Sequence, residues 1–160
     1  MNLPKYSMGI GELKRFNLRY DILIFERHLP QAIQLVDRHP EQVFVLDHLA
    51  KPRIKEGILS PWRESMKELA RRGNVFCKVS GMATEADWKQ WTPGQLRPYF
   101  DAALDAFGPR RLMFGSDWPV CLLACDYGRW VKTVRDFAAP LSDAERDRLF
   151  GGTAIDAYGL

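Results

Sequence analysis

The sequence has no long apolar run and little cysteine. No stretch of its 160 residues approaches the roughly 18 consecutive apolar residues of a membrane helix, and the N-terminus lacks the basic and then apolar pattern of a secretion signal. The three cysteines are odd in number and lie in apolar surroundings, which argues against a disulfide framework and favours a reducing cytoplasm. Cys121 and Cys125 have no further Cys or His close in sequence to complete a zinc set, so we interpret them as buried thiols.

An excess of charge of one sign is also missing. The chain has 23 basic and 20 acidic residues, interleaved along its length, and a net charge of +3. This distribution gives no indication of nucleic-acid binding. With 46% hydrophobic and 27% charged residues, the composition is that of one globular domain, and we expect residues 1–160 to form it.

What the sequence does contain is an alternation of strands and helices. Four runs rich in apolar residues predict strands at 20–25, 42–49, 74–81 and 111–116. Apolar residues at helical spacing, with Pro and Gly at the ends, predict helices at 29–40, 61–73, 92–108, 127–138 and 142–159. Because the strands are near-continuous apolar runs, they are predicted to be parallel and covered on both faces, as in an α/β fold.

Two of the predicted helices have recognisable starts. Thr92 is the expected N-cap of the third helix, and Ser142 with Glu145 three residues later predicts a capping box at the start of the last. Pro98 interrupts the third helix and is expected to kink or split it.

Polar residues follow the C-terminal end of each predicted strand. His28 follows the first strand, His48 the second, Lys78 the third, and Asp117 with Trp118 the fourth. The carboxyl ends of parallel strands open on one side of a sheet, so His28, His48 and Asp117 are predicted to converge on one pocket. Each also has a purely structural interpretation, as a helix start, a buried histidine bonded to a neighbour, and a turn residue.

Three further side chains lie near these strand ends, and their orientations decide whether they contribute to the pocket. Asp47 is expected to face away from the pocket, because adjacent strand residues point to opposite sides. Lys78 either projects into the mouth or pairs with a carboxylate, and Trp118 either walls the pocket or packs in the core.

Three sequence motifs, in this order, indicate a family. FVLDHLAKP (44–52), NVFCKVSGM (74–82) and RLMFGSDWPV (111–120) resemble the lactonase branch of the amidohydrolase superfamily (amidohydrolase-2 type), which includes L-fuconolactonase, L-rhamnonolactonase and pyrone-dicarboxylate lactonase. The resemblance extends over nearly the whole chain, from about Gly9 to Leu160. It implies a hydrolase that opens a small-molecule sugar-acid lactone, a cyclic carboxylic ester, in carbohydrate catabolism.

The resemblance also implies a fold and roles for the candidate residues. The family fold is a TIM-type (β/α)8 barrel, in which His28 would follow strand five, His48 would end strand six and Asp117 would end strand eight. Asp117 would then activate water, with His48 and His28 as catalytic partners, while Lys78 and Trp118 would bind substrate. The cofactor is either none or one divalent metal, which His28, His48 and Asp117 would hold.

The sequence departs from the family pattern at the first barrel strand. The His-x-His motif of that strand is absent, and 160 residues are too few for a whole barrel of about 250. We therefore expect the C-terminal half of the barrel, strands five to eight. Such a half would pair with a second copy or a separate N-terminal half, belong to a longer gene product, or persist as an inactive remnant. The alternative functions are a non-catalytic assembly module and a metal-dependent amidohydrolase or decarboxylase.

Overall fold

The computed structural model describes residues 4–160. Its four strands form one parallel sheet in the order β1-β2-β3-β4. The strands are β1 (Tyr20–Ile22), β2 (Phe44–Leu46), β3 (Val75–Val79) and β4 (Leu112–Phe114). The predicted α/β class with four parallel strands is thus confirmed. Each strand is shorter than its apolar run, because the polar residues at its end leave the hydrogen-bonded ladder and begin a loop.

Seven α-helices flank the sheet within residues 4–160. They are α1 (Pro4–Leu13), α2 (Leu29–Arg38), α3 (Trp62–Ala70), α4 (Pro93–Phe107), α5 (Tyr127–Ala138), α6 (Asp143–Asp147) and α7 (Thr153–Tyr158). The sequence predicted α2 to α5, but not α1. The last predicted helix is divided into α6 and α7 by a wider, π-helical turn, Arg148–Gly152.

The predicted helix starts agree with the structure, and of the two effects expected at Pro98, a kink or a split, the split does not occur. The backbone N–H of Thr92 donates to Oε1 of Gln95 at 2.9 Å, and Ser142 forms the expected capping box with Glu145. Pro98 lies inside α4 without splitting it. The bond that Pro98 lacks would have gone to the carbonyl of Gly94, an exposed residue of the first turn, where solvent replaces it at little cost.

The sheet has an outer face covered by helices and an inner face that is partly open. On the outer face, Ile22, Leu46, Cys77 and Leu112 are buried in the main hydrophobic core against the helices. On the inner face the intervening residues form a second, smaller buried cluster, which consists of Val45, Met113 and Ala157. Ala157 comes from α7, so the C-terminal helix covers only part of this inner face.

The two edges of the sheet are open in the part of the chain that the structure describes. β1 pairs only with β2, and β4 pairs only with β3. Leu23 and Phe25 follow β1 and are 61% and 44% exposed, respectively. Apolar side chains beside an unpaired strand edge are a surface for association.

None of the helices in residues 4–160 combines the length and the apolar character that crossing a lipid bilayer requires.

Candidate active site

The loop after β2 starts with an unusual backbone conformation at His48. His48, Leu49, Ala50 and Lys51 have φ angles of 50°, 52°, 59° and 50°, so four successive residues other than glycine are left-handed. Such a conformation costs an L-residue roughly 1–2 kcal/mol. Strain of this kind persists only where the surroundings enforce it, and it is concentrated at functional sites.

Hydrogen bonds from neighbouring elements hold this left-handed turn. The buried indole of Trp62, on α3, donates from Nε1 to the carbonyl oxygen of Leu49 at 2.7 Å. The N–H of Lys51 donates to the carbonyl of His48 at 2.8 Å, and the Lys51 ammonium lies 3.3 Å from Glu85. The turn redirects the chain so that His48 no longer follows the alternation of the strand.

Asp117 occupies the corresponding position after β4. It too has a left-handed backbone, with φ 55°, and its side chain is only 11% exposed. The hydroxyl of Thr84 lies 3.4 Å from Oδ2 of Asp117, while it donates to the carbonyl of Gly81 at 2.9 Å. The carboxylate is therefore held in a largely buried position at the C-terminal end of the sheet.

The imidazole of His48 lies between Ser80 and Asp117. Its Nδ1 is 2.7 Å from the hydroxyl oxygen of Ser80, and its Nε2 is 3.7 Å from Oδ1 of Asp117. The second distance is too long for a direct hydrogen bond. It is short enough for His48 and Asp117 to contact one oxygen atom together, as acid–base groups acting on a water or a carbonyl must do.

Below this pair, Lys78 is the centre of a polar network on the inner face. Its ammonium lies 2.6 Å from Asp21 and 2.8 Å from Asp47, and the hydroxyl of Tyr158 donates to Asp21 at 2.8 Å. Burial opposes the charge of Lys78, but the bonds to Asp21, Asp47 and Tyr158 outweigh it and raise the pKa of the ammonium. Burial, with the bond to Asp21, also raises the pKa of Tyr158 to about 12, although Lys78 acts in the opposite direction.

The expectation that Asp47 faces away from the pocket is wrong. Asp47 shares the inner face with Lys78, two residues after the inner-face Val45, and it is His48, in the left-handed turn, that departs from the alternation. Alternation along a strand therefore cannot be extended from Asp47 to its neighbour. Of the two interpretations of Lys78, pairing with a carboxylate is the one observed, and its role in substrate binding stays a prediction.

The other two predicted residues lie further from this centre. His28 ends a short 3-10 turn before α2, half-buried, with its ring edge against Phe25. No hydrogen bond, ion pair or ring contact joins His28 to His48 or Asp117 within residues 4–160, so convergence of all three stays a prediction. Trp118 is 65% exposed, which excludes the core role and leaves it free to wall a pocket.

The described residues do not fit a metal ion by themselves. No group of three His, Cys, Asp or Glu side chains within residues 4–160 is placed to hold one. His48 and Asp117 supply one nitrogen and one oxygen, whereas catalytic zinc commonly has three protein ligands. Within residues 4–160, Cys121 and Cys125 are not part of such a set; Cys121 is buried as expected, whereas Cys125 is only partly buried, and burial raises the pKa of both thiols.

A cleft of about 830 Å³ adjoins the pair at the C-terminal side of the sheet. Thr84 connects the cleft with the His48–Asp117 pair, since it contacts Asp117 and also lines the cleft. The walls combine aromatic and charged side chains and include Phe25, Arg27, Lys51, Glu85 and Trp88. Such a mixed lining suits a small molecule that has both hydroxyl groups and an apolar ring face.

Sequence reasoning missed Ser80, Thr84 and Asp21. Ser80 had a visible signal, because Ser80-Gly81 ends an apolar run just as His48 and Asp117 do. Thr84 and Asp21 had none, since their contacts with Asp117 and Lys78 join residues 33 and 57 positions apart.

A parallel sheet with an imidazole and a carboxylate at its strand ends is the arrangement expected for a barrel hydrolase. The chain belongs to the amidohydrolase family, whose model matches residues 4–160.

Two relatives that are named as lactonases match most of this chain. An L-fucono-1,5-lactonase of Burkholderia multivorans (strain ATCC 17616 / 249) is 44% identical over 97% of this chain and 56% of its own length. An L-rhamnono-gamma-lactonase of Scheffersomyces stipitis is 22% identical over 81% of this chain and 44% of its own length. The chain therefore spans about half the length of these relatives.

Solved structures agree with this assignment. A crystal structure of an amidohydrolase from Burkholderia multivorans with bound zinc has a TM-score of 0.96 and 44% identity, covering 99% of this chain and 58% of that one. A 2-pyrone-4,6-dicarboxylic acid hydrolase from Pseudomonas putida, at 22% identity and a TM-score of 0.79, shares the fold. The likeness to little more than half of the amidohydrolase structures confirms the predicted partial barrel.

Proposed function

We propose that this chain carries the acid–base half of a sugar-acid lactone hydrolase. The observation that supports it is the position of His48 Nε2, 3.7 Å from Asp117 Oδ1, at the C-terminal ends of β2 and β4, two parallel strands that have β3 between them. This pair occurs in a chain that is 44% identical to an L-fucono-1,5-lactonase. We further propose that residues 1–160 act as one domain, and that the rest of the pocket wall comes from a complementary barrel half.

In the proposed reaction, Asp117 is the general base. Hydrolysis of a lactone needs a water that loses its proton as it attacks the carbonyl carbon, and an ionised carboxylate beside that water accepts the proton. The attack moves negative charge onto the carbonyl oxygen, which a hydrogen-bond donor stabilises. His48 is placed to be this donor. Collapse of the tetrahedral intermediate then breaks the ring C–O bond, the leaving ring oxygen takes the proton that Asp117 accepted from the water, and the product is the hydroxy acid.

The cleft beside Thr84 would hold the rest of the sugar ring. Its exposed aromatic side chain, Trp88, offers a flat apolar surface, and the charged groups around it offer hydrogen-bond partners for hydroxyls. Trp118 and Lys78 stay in this proposal as substrate-binding residues, and His28 as a third catalytic group. Because residues 4–160 supply no third metal ligand, we assign no step to a metal ion.

The test is hydrolysis of a panel of aldonolactones. It compares the chain alone with a chimera, in which the part of the Burkholderia multivorans lactonase that precedes the matched region is fused before this chain. We expect the chimera to hydrolyse at least one lactone and Asp117→Asn to lower kcat/KM by about 10²–10⁴-fold. Asp101→Asn, which changes an exposed carboxylate on α4, should leave the rate unchanged.

Each assignment fails on a separate result. A folded chimera that hydrolyses no lactone in the panel would contradict the substrate class and favour the non-catalytic alternative. An Asp117→Asn chimera with full activity would contradict the role of Asp117 as base.

A further inference from the structure

We propose that Ser80 is a positioning residue, which donates its hydroxyl hydrogen to Nδ1 of His48 and so places the imidazole hydrogen on Nε2, towards Asp117. This inference rests on the proposed function only for its chemical consequence. The hydrogen-bond assignment itself follows from the geometry around three side chains.

The geometry separates the two ring nitrogens of His48. Ser80 Oγ lies 2.7 Å from Nδ1, within the ordinary range of a hydrogen bond, while Nε2 points towards Asp117 at 3.7 Å. In a neutral imidazole one nitrogen carries a hydrogen and the other accepts. The partner of Nδ1 therefore decides which kind of nitrogen faces Asp117.

Burial decides the direction of the bond between Ser80 and His48. Ser80 is 1% exposed, and its hydroxyl makes no second hydrogen bond within residues 4–160. If Nδ1 carried the hydrogen, Ser80 would accept it, and the hydroxyl hydrogen would be left buried without an acceptor. An unpaired buried donor costs about 1–3 kcal/mol, so the hydroxyl donates and Nδ1 accepts.

Two glycines let the backbone approach Ser80 and His48 closely. A Cβ atom at Gly81 would lie 2.8 Å from Cβ of His48, and a Cβ atom at Gly115 would lie 2.9 Å from Cβ of Ser80. Both separations are too short for real side-chain contacts, so only glycine permits the segments after β2, β3 and β4 to approach one another here. The close approach of these backbone segments thus holds Ser80 next to His48.

The same geometry excludes Ser80 as a nucleophile. In a nucleophilic triad the serine bonds to one ring nitrogen and faces the substrate, while the aspartate bonds to the other nitrogen and is buried behind the ring. Here the serine is the buried member, and Asp117 is the group that lies beside the cleft-lining Thr84.

The inferred tautomer gives His48 and Asp117 complementary roles. With the hydrogen on Nε2, His48 is a donor beside the acceptor Asp117. His48 can then bind the carbonyl oxygen while Asp117 accepts the proton of the water. With the hydrogen on Nδ1, two acceptors would face the developing oxyanion and repel it. Ser80 therefore determines whether His48 can act as the donor of the proposed reaction.

The test is long-range ¹H–¹⁵N correlation NMR of the imidazoles in the ¹⁵N-labelled chain, recorded where the rings are neutral. The sequence has three histidines, and replacement of each by Gln assigns its signals. We expect His48 to show one tautomer, with the hydrogen on Nε2. A wild-type spectrum with the hydrogen on Nδ1, or with a mixture, overturns the proposal. This readout needs no turnover, so it is independent of the lactonase assay.

A matched control is present in the chain, because Ser7 Oγ lies 2.8 Å from Nε2 of His39. In Ser80→Ala we expect the His48 signals to change to a mixture of the two tautomers, while the His39 signals stay unchanged. Ser7→Ala should affect His39 and leave His48 unchanged. A His48 spectrum that is the same in Ser80→Ala and in the wild type would contradict the role of Ser80.

Discussion

At the scale of single residues, the inner face depends on a few polar contacts between strands and the C-terminal helix. Lys78 bridges Asp21 and Asp47, and Tyr158 binds Asp21 from α7. These contacts replace solvation for charged groups that are half-buried. They also link β1 and β3 to the end of the chain.

Ionisation of Tyr158 should make the free energy of unfolding depend on pH in the alkaline range. Its pKa in the folded protein is raised to about 12, above the value of about 10 of an unfolded tyrosine. The folded state thus holds the phenol proton more tightly, so this contribution is fully present below pH 10 and is lost as the pH rises to 12. We expect Tyr158→Phe to be less stable than wild type by about 1–2 kcal/mol at pH 8, and the difference to shrink between pH 10 and 12.

Urea unfolding at a series of pH values measures this difference. Tyr127→Phe is the control, since Tyr127 is 51% exposed, and it should match the wild type throughout. A difference for Tyr158→Phe that stays constant from pH 8 to pH 12 would contradict the assigned proton linkage.

Residue types at strand ends predicted part of the site. Contacts between residues that are far apart in the sequence could not be predicted. His48 and Asp117 were predictable because parallel strands deliver their C-terminal residues to one side. The orientation of Asp47 was not, because it was inferred from that of His48, which lies in a left-handed turn and does not alternate with its neighbour. Nothing local in the sequence distinguishes Ser80 as the partner of His48, since the two are 32 positions apart.

At the scale of elements, the left-handed turn of residues 48–51 depends on α3. The indole of Trp62 donates to the carbonyl of Leu49, and both residues are buried. The bond therefore connects the packing of a helix with the placement of His48.

Removal of this indole N–H should disturb His48. In Trp62→Phe the Leu49 carbonyl loses its buried donor, which we expect to lower the free energy of unfolding by about 1–3 kcal/mol. The control is Trp91→Phe, because the Trp91 indole is equally buried and donates to the carbonyl of Ala124 at 3.0 Å. Both variants should lose stability in urea unfolding, but only Trp62→Phe should shift the imidazole NMR signals of His48. Equal shifts in both variants would show that the turn does not depend on Trp62.

Local periodicity predicted the helices well where an apolar stripe marks them, as in α2 and α5. It missed α1, whose sequence includes Pro4, Gly9 and Gly11 and has low helix propensity. This helix is stabilised by packing instead: Ile10 is buried, and Ser7 reaches His39. Strand lengths were overestimated because an apolar run reports burial, which extends beyond the residues that pair.

At the scale of the whole molecule, the open sheet edge should make the chain associate. Leu23 and Phe25 are exposed beside β1, an edge strand whose second edge pairs with no strand within residues 4–160. Charge on an edge opposes pairing with another strand. We expect the wild type to increase in mass with concentration, and Leu23→Lys to reduce that increase.

Sedimentation velocity at several concentrations measures the association. Met8→Lys is the control, since Met8 is 71% exposed and lies on a helix, α1. It introduces the same charge and should associate like the wild type. A wild-type chain of constant mass over the whole concentration range would rule out the edge as an association surface.

The partial barrel was predictable because chain length, strand count and the missing His-x-His motif all agree. The substrate was not predictable from geometry, because a cleft with mixed lining accepts many hydroxylated rings. Its assignment depends on the relatives, of which this chain covers little more than half.

The unequal division of apolar packing between the two faces has a consequence for protein engineering. Most buried side chains lie between the sheet and its own helices, whereas the inner face has only a small cluster around Val45 and Met113. A splice placed ahead of α1 therefore leaves the contacts between the sheet and these helices intact. Residues 4–160 are accordingly a suitable unit for exchange, in which barrel halves from different members of the amidohydrolase family are combined to test which half determines the substrate.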